Sequence, residues 1–264
     1  MGNGLTLNFS KTFEGVVWNI MAMEGKELLI LEIRDENKME ATFSAFQYQK
    51  QSFLWQDLML EEPWWVSLYG YSGDILLFQI YDDVQNPEHK SVLAIHAETS
   101  KTAWKQKNFS VQGLDKGRIK GMLKGEPEPR EVMLDAVTGR VTDENKQNDL
   151  TPHKISEPVR PFQYLDGNAY FETIKKFLQQ TRNLTPIVGA EYVETEGLVF
   201  ISYYIMEGTG LANYLLVMDQ NGKLLLTEKL GGQLKGLGVE TFFILSGCLF
   251  FVKNKREFLS FQIK

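Results

Sequence analysis

Adjacent carboxylates are where hydrolytic chemistry would begin in this chain. Asp82-Asp83 and Glu61-Glu62 are the pairs to weigh, with Asp35 in a matching segment upstream. A glycosidase needs two carboxyl groups about 5 to 9.5 Å apart, one to protonate the leaving oxygen and one to attack or to activate water. All of these residues sit in polar connecting segments, where acidic side chains of a chain with net charge −6 are ordinarily solvated. The segments expected to lie innermost, residues 16–20, 65–69 and the surroundings of Tyr192, offer few carboxylates. No catalytic residue is assigned, and a carbohydrate-active hydrolase stays as the alternative function.

Other chemistries lack their residues. His89, His96 and His153 are far apart, and with the single cysteine, Cys248, they form no spacing that binds zinc. Neither Asp35 nor Asp143 is followed by the glycine and distal glutamate of a calcium loop. There is no Gly-x-Ser-x-Gly elbow. The run Gly231-Gly232 to Gly238 lacks the Gly-Lys-Ser/Thr ending of a phosphate loop. No metal or cofactor is expected. Nucleic acid is excluded as a partner by acidity, with pI near 5.3 and only Lys253-Asn254-Lys255-Arg256 as a basic cluster, in a short turn.

The aromatic pair Trp64-Trp65 is the remaining feature with binding chemistry. Successive strand residues point to opposite sides, so Trp65 is expected to pack between repeats and Trp64 is the candidate stacking surface for a sugar or peptide, with packing weighed above that role for either. Trp55 and Trp104 occupy matched places and read as structural.

Those matched places come from an internal repeat. Residues 45–55 align without a gap with residues 94–104, an offset of 49; further copies begin at Leu134-Asp135-Ala136 and Met218-Asp219-Gln220. Each is an apolar strand, a tight polar turn and another strand, Asn221-Gly222 being the strongest turn signal. A second series of glycines, Gly25, Gly73, Gly117, Gly197 and Gly247, separates alternating runs from strongly apolar ones. The spacings are of propeller-blade length. The fifth unit ends after three strands, and residues 5–9 supply a spare one. The reading is an all-β fold: a single domain over residues 1–264, a five-bladed β-propeller closed by its N-terminal strand. The alternation of Leu5, Leu7 and Phe9 as a strand outweighs the loose myristoylation pattern of Met1, Gly2 and Thr6.

The turn strings, above all Leu134-Asp135-Ala136-Val137-Thr138-Gly139-Arg140, resemble the quinoprotein-type propeller repeat. The whole chain is similar to an uncharacterised Bacteroidetes propeller family of unknown function. That resemblance implies a fold and no activity. The quinone cofactor is not carried over, because its ligands cannot be placed here.

The extra length lies at about residues 144–186. Residues 143–161 read as loop; Phe171, Ile174, Phe177 and Leu178 fall at helical spacing, with Asp166 or Asn168 as cap and Pro186 as stop. This helical insertion is expected on the face that gathers the long charged connectors. A site belongs there, and Trp64, Asp82, Asp83, Arg130 and Glu207 are its candidate ligand-binding residues. The expected function is non-enzymatic binding or scaffolding of a protein or small molecule. With no signal segment and no run of about 18 apolar residues, the protein is expected to be cytoplasmic and off the membrane.

Overall fold

The computed structural model describes residues 4–23, 25–115, 117–125, 128–142 and 157–264. Met1, Gly2, Asp143, His153 and most of the polar stretch 143–161 lie outside them. The described chain is all-β apart from one helix and forms five antiparallel sheets, none closed on itself. It divides into two compact units, Met1–Val17 with Ser156–Lys264, and Trp18–Ile155.

The strand β1 (Leu5–Thr12) belongs to the last sheet. Three four-stranded meanders follow: β2 (Val16–Met23), β3 (Leu28–Asp35), β4 (Glu40–Gln47) and β5 (Ser52–Met59); β6 (Val66–Ser72), β7 (Ile75–Tyr81), β8 (Lys90–His96) and β9 (Thr102–Gln106); β10 (Phe109–Asp115), β11 (Arg118–Leu123), β12 (Arg130–Asp135) and β13 (Val141–Thr142). The apolar runs after each marker glycine become the second strands, and β3 and β7 are buried over their first six residues. All five marker glycines adopt positive φ, between 58° and 85°, as a tight hairpin turn requires.

Neighbouring sheets in this unit are pinned twice over. Glu32 and Gln79 occupy the same place on β3 and β7, four residues beyond the first cross-strand pair, Leu28↔Gln47 or Ile75↔His96. Both are polar side chains buried in apolar surroundings. Each fills the kink of a bulged first strand in the next sheet. Glu32 Oε2 accepts the Leu68 N–H at 3.1 Å beside the register shift in β6, and Gln79 Oε1 accepts the Val111 N–H at 3.0 Å beside the shift in β10. The repeat tryptophans are the second pin. Trp55 Nε1 donates to Ala97 O at 2.7 Å and Trp104 Nε1 to Ala136 O at 3.0 Å. Ala97 and Ala136 are equivalent positions in the turns that follow, so each tryptophan holds the next repeat's turn. Trp55 and Trp104 are structural.

The other unit holds the remaining two sheets. The fourth runs β14 (Phe162–Leu165), then α1 (Ala169–Arg182), β15 (Gly189–Thr195), β16 (Leu198–Glu207), β17 (Gly210–Asp219) and β18 (Leu224–Leu234). It has five strands, because β14 pairs along the outer edge of β15. The sequence reading put only loop and helix in this insertion and missed β14; four residues with no strict alternation gave it no signal. The helix spans the expected residues, with Asn168 as its cap, accepting from Tyr170 N–H, and Asn183 ending it in the left-handed region. Its place differs from expectation. Phe171, Ile174 and Leu178 pack with Ala190, Ile201, Tyr203, Leu216 and Met218, on the face of the sheet rather than among connectors. Arg182 Nη2 reaches Gly222 O at 2.5 Å, in the tight β17–β18 turn. Burial of three large apolar side chains decides the matter, at roughly 1.5–3 kcal/mol each.

The fifth sheet is built from β19 (Phe242–Leu245), β20 (Cys248–Lys253) and β21 (Glu257–Ile263) with β1 outside β21. β1 and β21 pair antiparallel from Leu5↔Ile263 to Thr12↔Glu257, so the spare strand does join the last three-stranded unit. Residue Val159 forms a two-bonded bridge to Ile244, on the outer edge of β19. Residues 159–165 thus strap two exposed strand edges, one in each sheet.

Candidate ligand-binding site

Arg34, at the end of β3, organises the most constrained exposed feature of the molecule. Its Nε donates to Glu32 Oε1 at 2.7 Å and its Nη1 to Trp64 O at 3.1 Å; Nη2 also donates to Val66 O. Glu32 is fully buried and Arg34 partly so. The carboxylate is therefore shared: one oxygen balances Arg34, the other holds the Leu68 N–H.

The guanidinium also lies over two indoles, its Cζ 5.2 Å from the Trp64 ring centroid and 5.7 Å from that of Trp18. Such contacts add about 0.5–2 kcal/mol each, depending on solvent exposure. The link from β5 to β6 is fixed from its other side as well. Glu62 Oε1 accepts both the Trp64 N–H at 3.1 Å and the Trp65 N–H at 2.9 Å. Pro63 O accepts from Ala41 N–H at 2.6 Å, and Trp65 O from Tyr81 N–H at 2.8 Å. Every backbone carbonyl from Pro63 to Val66 is held. A rigid segment therefore carries tryptophans whose rings remain open: Trp18 is 64% exposed and Trp65 41%.

This reverses the expectation for the pair. Trp64 is half-buried, covered by Arg34, and Trp65 is the exposed member. Strand alternation misled here because residues 61–65 form a bend ahead of β6. The sequence reading gave Arg34 and Trp18 no binding role and weighed Glu62 only as half of an acidic pair. Glu32 had a signal: one charged residue inside the run Leu28 to Ile33, which otherwise reads as fully buried.

The remaining candidates have local partners. Asp82 Oδ2 accepts from Ser91 Oγ at 2.5 Å, and Asp83 Oδ1 from Gln85 N–H at 2.9 Å, so the two carboxylates hold separate parts of the β7–β8 loop. His89 Nδ1 stands 4.0 Å from Asp83. Arg130 is exposed at the start of β12. Glu207, in the other unit, is bound by Lys229 Nζ and Tyr214 Oη, and the lysine holds its carboxyl below the ordinary value. Among the described residues no group of three or more His, Cys, Asp or Glu could hold a metal ion. No described helix is long and apolar enough to cross a membrane.

The family model of a domain of unknown function, DUF4905, matches residues 22–104, which span most of the first two sheets and end at Trp104. Among solved structures the chain is similar to the β-propeller domain of the Trilobed protease from Pyrococcus furiosus, at 11% identity and TM-score 0.34, covering 94% of this chain and 66% of that one. It is similar to Pyrococcus horikoshii acylaminoacyl peptidase at 10% identity and TM-score 0.32, covering 90% of this chain and 36% of that one. A member of the DUF4221 family from Bacteroides vulgatus is similar at 10% identity and TM-score 0.27, with 99% and 98% covered. The chain thus spans less than two thirds of the first two. No curated protein matches it.

Proposed function

We propose that this chain is a non-enzymatic binding or scaffolding protein, a single five-bladed β-propeller over residues 1–264 that takes a protein or small-molecule ligand. The five sheets would be blades, and β1, paired with β21, the strand that closes the ring. One observation carries the functional reading. The segment from Glu62 to Val66 is held by Arg34, Glu62, Ala41 and Tyr81 while Trp18 and Trp65 are left open to water. Large open aromatic surface is unfavourable in water, and a preorganised aromatic anchor binds with little loss of side-chain freedom. Trp64, Asp82 and Asp83 lie at the same end of these sheets, since β6 starts where β7 ends. Arg130 lies at that end of the third sheet. Net charge of −6 disfavours nucleic acid and anionic membrane, and the cytoplasm is the proposed compartment.

The test is a screen of defined peptide and oligosaccharide arrays with the wild type and with Trp18→Ala/Trp65→Ala. Retention of a ligand class by the wild type, lost in the variant, supports the reading. Hydrolysis of any array glycan by the wild type, abolished by Asp82→Asn/Asp83→Asn, would replace it with the hydrolase alternative.

A further inference from the structure

The charge around the open tryptophans narrows the ligand. Three connectors surround them at one end of the first two sheets: residues 34–40, 60–65 and 82–90. Within these stand eight acidic side chains and three basic ones. Several cancel locally. Glu32 balances Arg34 at 2.7 Å, Lys105 balances Glu61 at 3.2 Å, Lys124 balances Glu88 at 2.9 Å, and Lys38 stands 3.6 Å from Asp35. The remainder is Glu36, Glu40, Glu62, Asp82 and Asp83 against Lys90. The end that exposes the aromatic rings is therefore strongly negative.

An anion finds little in the way of a receptor here: the one cation left over in these connectors, Lys90, stands over the Tyr81 ring, 4.8 Å from its centroid. Arg34 is the arginine of these connectors, and its donors already serve Glu32, Trp64 O and Val66 O. A cation finds two. The indole face attracts positive charge, as the stacking of Arg34 over Trp18 and Trp64 demonstrates within the chain itself. The surplus carboxylates raise the local concentration of cations and speed their arrival. Arg34 occupies one side of the indole pair, and 64% of Trp18 stays open.

We infer that the open tryptophans receive an arginine or lysine side chain of a basic peptide segment on a partner protein. This rests on the binding reading above and specifies its ligand. A basic side chain would stack on Trp18 or Trp65 while its charge is met by Glu36, Glu40 or Glu62.

The test uses the full chain and three synthetic peptides of one length and composition except at four positions, which carry Arg, Gln or Glu, together with a neutral oligosaccharide. Binding is followed by tryptophan fluorescence and calorimetry at low and high salt. The Arg peptide should bind, weaken about fivefold or more in Trp18→Ala or Trp65→Ala, as expected from losing one stacked cation, and weaken further with added salt. Glu36→Gln/Glu40→Gln keeps both rings and should weaken the Arg peptide alone. Circular dichroism and thermal melting of each variant verify folding; exposed Trp18 and Glu36 are not part of the core. Equal binding of the Arg and Gln peptides would overturn the inference. So would binding of the oligosaccharide alone, lost in the tryptophan variants, although that result would leave the platform reading standing. A fluorescence response to none of the four would overturn both.

Discussion

Gln79 leaves its own sheet to accept the Val111 N–H at 3.0 Å, and its amide Nε2 donates at 2.7 Å to Ser91 O. One side chain thus bonds to two sheets, and in the second it fills the gap that the β10 bulge opens. The same geometry one repeat earlier uses a carboxylate, Glu32, which alone can also neutralise Arg34. The structural pin of the second sheet has become, in the first, the anchor of a tryptophan-bearing segment.

Replacing Gln79 by Leu keeps the volume and removes the bonds. Buried groups left without a partner each cost about 1–3 kcal/mol. Urea denaturation should show a loss in that range or above, with no change in the fluorescence of exposed tryptophan. Glu32→Gln should cost more, up to the roughly 3–5 kcal/mol of a broken buried pair, because Arg34, partly buried, keeps its charge without a counter-ion. It should also shift the emission of Trp18 and Trp64, since their shared guanidinium loosens. Equal losses with silent fluorescence would show that Arg34 is held by the carbonyls alone.

The Trp104 ring covers Gly139, where an added Cβ would stand 2.5 Å from the indole, at φ of +67°. Gly139→Ala should destabilise by about 1–2 kcal/mol from the left-handed backbone alone, and more from the clash. Trp104→Phe loses the bond to Ala136 O, worth about 0.5–1.5 kcal/mol, and opens room for the methyl. In the double variant the losses should therefore be less than additive, and a double-mutant cycle reads this directly. Simple additivity would refute the contact.

Glu191 supplies a pH dependence with a definite sign. It is fully buried; desolvation pushes its carboxyl above the ordinary value of 4.5, and bonds from Thr241 and Glu240 offset part of that. A folded pKa above the unfolded one means that the folded chain holds the proton more tightly. The resulting stability is complete below about the unfolded value and is lost as pH rises through the folded one. Relative to Glu191→Gln, the wild type should gain stability on acidification from neutral pH towards 4.5. A difference independent of pH would show that Glu191 ionises as it does in the unfolded chain.

Removing residues 4–12 should uncover the β21 edge along the whole register from Glu257 to Ile263. The truncated protein is expected to associate further through that edge, and a synthetic peptide of residues 4–12 added in excess should restore the elution position of the full chain. Size-exclusion chromatography with and without peptide measures both. A truncated protein that elutes as the full chain does would mean that another segment covers β21.

The repeat was legible because it is written in short-range chemistry. Gly73 needs positive φ, Asp135 caps its turn through Thr138, and Ile75 to Tyr81 is apolar except at Gln79, so the strands could be placed, although the first, read as residues 5–9, runs on to Thr12. The helix was equally plain from Phe171, Ile174 and Leu178. What escaped depends on partners distant in sequence. β14 is a strand because β15 presents an edge, and Trp64 is covered because Arg34 arrives from 30 residues away. Glu62 looked like half of an acidic pair and instead caps two peptide groups. No local pattern records such bonds; only a charged residue in an apolar run, as at Glu32, hints at them.

The pairing of β1 with β21 also sets a timetable during synthesis. At roughly 5–20 residues per second, β1 leaves the ribosome many seconds before Glu257 exists to meet it. Throughout that interval an eight-residue strand with Leu5, Leu7 and Phe9 on offer must avoid other nascent chains. Asn8, Ser10, Lys11 and Thr12, alternating with or following those residues, lower its appetite for the wrong partner. Asn8 and Ser10 serve twice, since in the finished sheet they donate to Gln262 Oε1 and Glu257 Oε1 on β21.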